Sequence, residues 1–175
     1  TMQQNEKQNV SRETLSGSVD MLDIARVAQD VESREFMGMG SLKLVAPAKV
    51  NLYLNVKGKR EDGYHEVSTI MHALMLHDVL RMKTIPGTGE PVVLTTRSFE
   101  GLDPLDVAPQ DNIVVKAILK LAEAFGKTLG EEEAVRVHLE KHIPAQAGLG
   151  GGSSDAAAAL LGATILWGES VLDPR

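Results

Sequence analysis

Residues 144–154 read Pro-Ala-Gln-Ala-Gly-Leu-Gly-Gly-Gly-Ser-Ser. Gly148, Gly150, Gly151 and Gly152 carry no Cβ, so backbone N–H groups there can approach a ligand closely. Ser153 and Ser154 are good helix-capping residues, and an alanine-rich run follows them. A helix N-terminus behind such a loop gathers free N–H donors and partial positive charge, which suits phosphate. The segment therefore predicts a polyphosphate cradle, with a nucleotide as the first ligand to consider. Asp155, next in line, is expected to cap N–H groups and complement the helix dipole.

Two familiar phosphate loops do not fit. The Walker A pattern needs a Lys before its Ser/Thr, and none follows Gly152. The dinucleotide fingerprint needs a third Gly where Ser153 stands. Glu169, at a plausible distance for a ribose-binding acid, ends a helical run rather than a second strand.

A second group surrounds Lys49. Lys49, Asn51 and Tyr53 alternate with apolar residues, which puts them on one face of a strand. That face is either simply solvated or part of a site. The loop Gly63-Tyr64-His65 adds an aromatic ring and an imidazole. A Lys stabilises charge developing on a nearby hydroxyl. Tyr and His stack on, or hydrogen-bond to, a planar ring. His72, His77, His138 and His142 show no metal-ligand spacing, so no protein metal site is assigned.

Several elements must position these residues. Leu44, Ala46, Ala48, Val50, Leu52, Leu54 and Val56 alternate with polar residues and predict a half-buried strand, with Pro47 marking an edge or bend. Val67 to Leu76 and Val79 to Ile85 are expected as two strands divided at His77-Asp78, and Val92 to Thr96 as another. Asp111 is expected to cap a helix striped by Val114, Ile118, Leu121, Ala122 and Phe125 and stopped by Gly126. Val135, Val137 and Leu139 mark a further strand. The helix Ser154 to Leu166 is apolar almost all round and should be buried, so a charge at Leu160 should cost ~2–5 kcal/mol. Strands, helix, strand, helix is an α+β order.

The 175 residues suffice for one domain, and 43% apolar content predicts a folded one. Aromatics at 3% and a net charge of −6, with no Lys/Arg run, argue against nucleic-acid binding. No cysteine is present, which excludes disulfides and thiolate metal sites. No apolar stretch reaches membrane-spanning length and no signal-peptide pattern is seen, so a cytoplasmic location is expected. Residues 1–40 are rich in Gln, Asn, Glu and Ser and are expected to form an extension, partly disordered or weakly helical from Ser18. Met37 and Met39 are alternative starts.

Pro47-Ala-Lys-Val-Asn-Leu-Tyr-Leu, Asp62-Gly-Tyr-His-Glu and Ile143-Pro-Ala-Gln-Ala-Gly-Leu-Gly-Gly-Gly-Ser-Ser-Asp-Ala together resemble the 4-diphosphocytidyl-2-C-methyl-D-erythritol kinase family of the GHMP kinase superfamily. The glycine-serine motif alone would indicate only the superfamily. The two N-terminal motifs narrow it, and the resemblance covers about residues 41–172. It implies a two-layer α+β N-terminal domain of the ribosomal protein S5 domain 2-like type over residues 41–175, without the C-terminal domain. It implies ATP as phosphoryl donor, Mg²⁺ as its companion, a small-molecule acceptor, and transfer to that acceptor's 2-hydroxyl. By the same resemblance Pro144, Ala145, Gln146, Ala147, Gly148, Leu149, Gly150, Gly151, Gly152, Ser153 and Ser154 hold the ATP phosphates. Asn112, Ile113 and Lys141 lie near the adenine, and Lys49 is the catalytic lysine. Tyr64 and His65 contact the cytidine part of the acceptor, with Asn51 close to Lys49. The family's catalytic aspartate sits in a Gly-Ala-Asp-Val-Pro-like segment that this sequence lacks. A truncated kinase portion with weak or no turnover is therefore expected. The alternatives are another GHMP small-molecule kinase or an inactive nucleotide-binding fragment.

Overall fold

The computed structural model describes Phe36 and residues 40–172. The helical pattern expected from Ser18 and the alternative starts lie outside the described residues. Four strands form one sheet in the order β1-β2-β4-β3: β1 (Ser41–Lys59), β2 (His65–Pro86), β3 (Val92–Ser98) and β4 (Glu133–Lys141). β1 pairs antiparallel with β2, and β2 with β4, while β3 lies parallel to β4. A parallel pair needs a crossover. It is made by a short 3-10 turn (Pro109–Asp111) and helix α1 (Ile113–Ala124). Helix α2 (Gly151–Leu166) follows β4.

Alternation sorts each strand's side chains between two faces. Leu80 and Met82 of β2, and Val135, Val137 and Leu139 of β4, point into the core, where Val114, Val115 and Ile118 of α1 and Ala158, Ala159 and Ala163 of α2 meet them. The pairing is α+β, as the element order predicts.

Four local readings change. His77-Asp78 does not divide two strands: β2 runs unbroken through them, and the Asp78 carboxylate accepts from the His142 and Ile143 N–H groups instead of closing a local turn. Only Val79–Pro86 pairs with β4, however, and the earlier part of β2 pairs with β1 alone. Residues 47–59 and 65–77 therefore make a two-stranded ribbon, with Leu52, Leu54, Val56, Val67, Ile70 and Met71 exposed. The cap of α1 is Asn112 rather than Asp111, since its side chain accepts from the N–H of Val114 at 2.9 Å. Helix α2 begins at Gly151, so Ser153 and Ser154 lie inside its first turn and make no cap hydrogen bond. Finally, α2 is not buried all round. Leu160, Leu161 and Ile165 are exposed, and the buried stripe is Ala158, Ala159, Gly162 and Ala163. Small residues there bring the helix close to the sheet: a Cβ on Gly162 would stand 2.5 Å from the Met82 sulfur.

Candidate functional site

The loop between β4 and α2 turns on left-handed backbone. Gly148 and Gly150 have φ of 75° and 73°, and Gln146, at 59°, is the one non-glycine residue with positive φ among the described residues. Such a conformation costs a non-glycine residue about 1 kcal/mol or more, and it clusters at ligand sites. The loop walls a cavity of about 470 Å³. Its lining includes Pro144 to Ser153, with Leu105, Val107, Asn112, Ile113 and Leu139 as a mostly apolar opposite wall. That volume suits a small molecule. The arrangement offers amides of a loop and helix start at one side and an apolar slot at the other.

Lys49 reaches the loop from β1. Its backbone N–H donates to the Leu149 carbonyl at 2.9 Å, and its ammonium donates to the Gly148 carbonyl at 2.8 Å. Register shifts of the β1–β2 pair fall on either side of Lys49 and Asn51, at Pro47/Lys49 and Asn51/Tyr53, and aim this stretch differently from a regular strand. A Cβ on Gly150 would approach the Lys49 Cε to 2.8 Å, so the glycine and the lysine stem share one space.

The sequence-predicted residues are therefore only partly gathered. Asn112, Ile113, Lys141 and Pro144 to Ser153 line one cavity, with Lys49 at its loop. Ser154 is not in the lining, and its N–H closes the first turn of α2 on the Gly150 carbonyl. Asn51 sits on the ribbon, accepting from Thr69 Oγ1 at 3.2 Å. Tyr64 and His65 lie at the ribbon's far turn, with Tyr64 75% exposed, and neither lines the cavity.

Beneath the loop is a cluster the sequence reading missed. Asp78 is fully buried and accepts from the N–H of His142 at 2.5 Å and of Ile143 at 2.8 Å. Its other oxygen meets the Lys141 ammonium, which also reaches Asp155 Oδ2 at 2.7 Å. Lys141 borders the cavity, but its charge is engaged between two carboxylates. Asp155 correspondingly binds Lys141 rather than capping helix N–H groups. Its Oδ1 is buried without a hydrogen-bond partner. Burial raises the Asp155 carboxyl from 3.8 to about 6, against the pull of Lys141, with Asp78 adding to the rise. The available signal for Asp78 was an acid with no turn-forming neighbour inside an apolar strand run.

Mg²⁺ finds no ready cage here. Among the described residues no group of three His, Asp or Glu side chains suits a metal ion, and the two carboxylates under the loop are held by Lys141. These residues do not fit a protein-held ion.

Residues 112–174 match the family described as GHMP kinases N terminal domain. The chain is 40% identical over 132 residues to 4-diphosphocytidyl-2-C-methyl-D-erythritol kinase of Salinispora tropica, covering 75% of this chain and 39% of that protein. With the kinase of the same name from Thermotoga maritima it shares 42% over 126 residues, 72% of this chain and 41% of the relative. A crystal structure of 4-(cytidine 5'-diphospho)-2C-methyl-D-erythritol kinase superposes with TM-score 0.54 at 38% identity, covering 74% of this chain and 42% of that one. A homoserine kinase from Cytophaga hutchinsonii shares the fold, with TM-score 0.52 at 22% identity over 78% of this chain and 38% of its own. The chain thus spans about two fifths of the length of the curated relatives it matches. The left-handed glycine loop lies within the stretch that matches the GHMP kinase N-terminal domain, in a chain that resembles the 4-diphosphocytidyl-2-C-methyl-D-erythritol kinases.

Proposed function

We propose that this chain is the nucleotide-binding portion of a kinase that transfers the ATP γ-phosphoryl group to the 2-hydroxyl of 4-diphosphocytidyl-2-C-methyl-D-erythritol, in non-mevalonate isoprenoid biosynthesis. One observation carries the reading: the Lys49 ammonium rests 2.8 Å from the Gly148 carbonyl, at the edge of a loop whose amides suit a polyphosphate. The amides of Gly148 to Ser153 take the phosphates. Asn112, Ile113, Leu105 and Val107 form the slot for the base. The acceptor oxygen bonds to the γ-phosphorus as the bond to the bridging oxygen breaks, ADP leaves, and the hydroxyl gives up its proton to solvent water. Lys49 stabilises the charge that develops on the acceptor oxygen. Asp155 is committed to Lys141 and is not assigned as base. Tyr64 and His65 face the cytidine end of the acceptor along the ribbon, and Asn51 lies close to Lys49. Mg²⁺ would accompany ATP on its phosphate oxygens, offsetting their charge, and no residue here is assigned to hold it.

Titrating ¹⁵N-labelled protein with ATP tests the nucleotide part. The amides of Gly148 to Ser153 should shift together, and Gly150→Ala should weaken binding roughly tenfold or more, because it strains the loop and displaces Lys49. Shifts scattered away from the loop, or none, overturn the reading. The acceptor part is tested by a coupled ADP-release assay with 4-diphosphocytidyl-2-C-methyl-D-erythritol. Lys49→Met should then lower kcat on the order of 10²–10³-fold.

A further inference from the structure

The cradle rests on charges that do not cancel. Lys141 supplies one positive charge to two buried carboxylates, Asp78 from β2 and Asp155 from the first turn of α2. Asp78 is fully subscribed: one oxygen accepts two backbone N–H groups and the other the ammonium. Asp155 is not. Oδ2 takes Lys141, and Oδ1 is buried with nothing to accept from. The residue also borders the cavity that the loop amides face. Other charges reach this space from Lys49 on β1, whose ammonium lies on Gly148, and from Asp111 ahead of α1, which borders the same cavity. An anion entering the cradle adds negative charge beside a carboxylate already short of compensation. The least costly response is for that carboxylate to become neutral.

We propose that Asp155 takes a proton from solvent, on its unpartnered Oδ1, whenever a polyphosphate fills the loop, so that the cradle binds anion and proton together. The inference rests on the reading of the loop as a phosphate site. Burial already holds the Asp155 carboxyl near 6, which puts further uptake within the neutral range. The linkage fixes the sign: if the bound state holds the proton more tightly, binding weakens as pH rises. Asp155 is thus a positioning residue that sets the charge under the loop, distinct from the groups that touch the phosphates.

Calorimetric titration of the whole chain with ATP, near pH 7 in buffers of differing ionisation enthalpy, measures the protons taken up. Asp155→Asn cancels ATP's own protonation by difference. The wild type should take up roughly 0.3–1 proton more per ATP than the variant, and its affinity relative to the variant should fall from about pH 5.5 to about pH 8. Equal uptake and a pH-independent affinity ratio overturn the proposal. If the variant does not fold, the Asp155 side-chain ¹³C resonance of the wild type replaces it: its midpoint should rise on saturation with ATP, and a midpoint that stays or falls overturns the idea. If ATP does not bind, the nucleotide reading has failed on its own, and inorganic tripolyphosphate becomes the probe. Its binding with proton uptake at Asp155 would sustain the charge argument without the nucleoside. Binding without uptake, or no binding, would end it.

Discussion

Asp155 shows how one side chain can cost stability where it serves a site. Its carboxyl titrates at about 6 in the folded chain against an ordinary 3.8, so the folded state holds the proton more tightly than the unfolded one. The stability that this proton supplies is complete below 3.8 and is lost as pH climbs through about 6. Each tenfold difference in proton affinity between the two states is worth ~1.4 kcal/mol, so the loss is on the order of 2–3 kcal/mol. Asp155→Asn removes the titration. The urea-unfolding free energy of wild type minus variant should accordingly decline by about that amount between about pH 4 and pH 7. A flat difference would mean that the carboxylate sits comfortably ionised between Lys141 and water. The sequence told the loop residues plainly, because glycine and serine types are dictated by backbone demands that act locally. It did not tell Asp78 or the true partner of Asp155. Their roles depend on two chain segments 63 residues apart meeting at Lys141, and no local rule encodes that meeting.

At the scale of elements, periodicity located the sheet strands and both α-helices, though it cut β2 in two at His77-Asp78, and it misjudged what covers them. The run from Ala156 to Leu166 is apolar on all sides, which favoured burial all round. Helix α2 nevertheless docks mainly through its smallest residues, and Leu160 and Leu161 look outward. The reason is distance: there is no room for a Cβ at Gly162 beside the Met82 sulfur, and larger side chains would hold the helix off the sheet. This reverses the expectation at Leu160. Leu160→Glu should change stability by less than about 1 kcal/mol, whereas Ala159→Asp, placing a charge where exposure is nil, should cost ~3 kcal/mol or more. Thermal unfolding of the two variants side by side decides it, and equal losses would mean that the exposed face is covered in solution. The cap of α1 was missed by one residue for a simpler reason. Asp111 and Asn112 are both good caps, and only the backbone turn selects Asn112, with its φ of −65° and ψ of 134°.

Over the whole molecule, one sheet carries two environments. Its inner part, where β4 and β3 join β1 and β2, lies under the helices and holds the cradle. Its outer part is the ribbon that bears Asn51, Tyr64 and His65. The motif similarity put Lys49 and the tyrosine–histidine pair in one proposed reaction, and the fold joins them by strand length alone, along the β1–β2 pair. Among the described residues no helix is long and apolar enough to cross a membrane. The division falls at Asp78, where β2 stops pairing with β4 and its carboxylate pins the start of the glycine loop.

That junction gives a single strand two clocks. Amide protons of Leu80 to Lys83 are shut between partners on both sides and should trade with deuterium only on global unfolding. Those of Val67 to Ala73 have one neighbour and open water, and should trade orders of magnitude sooner. Mass spectrometry of peptides on either side of Asp78 would show the step, and a uniform rate along β2 would mean that something shelters the ribbon.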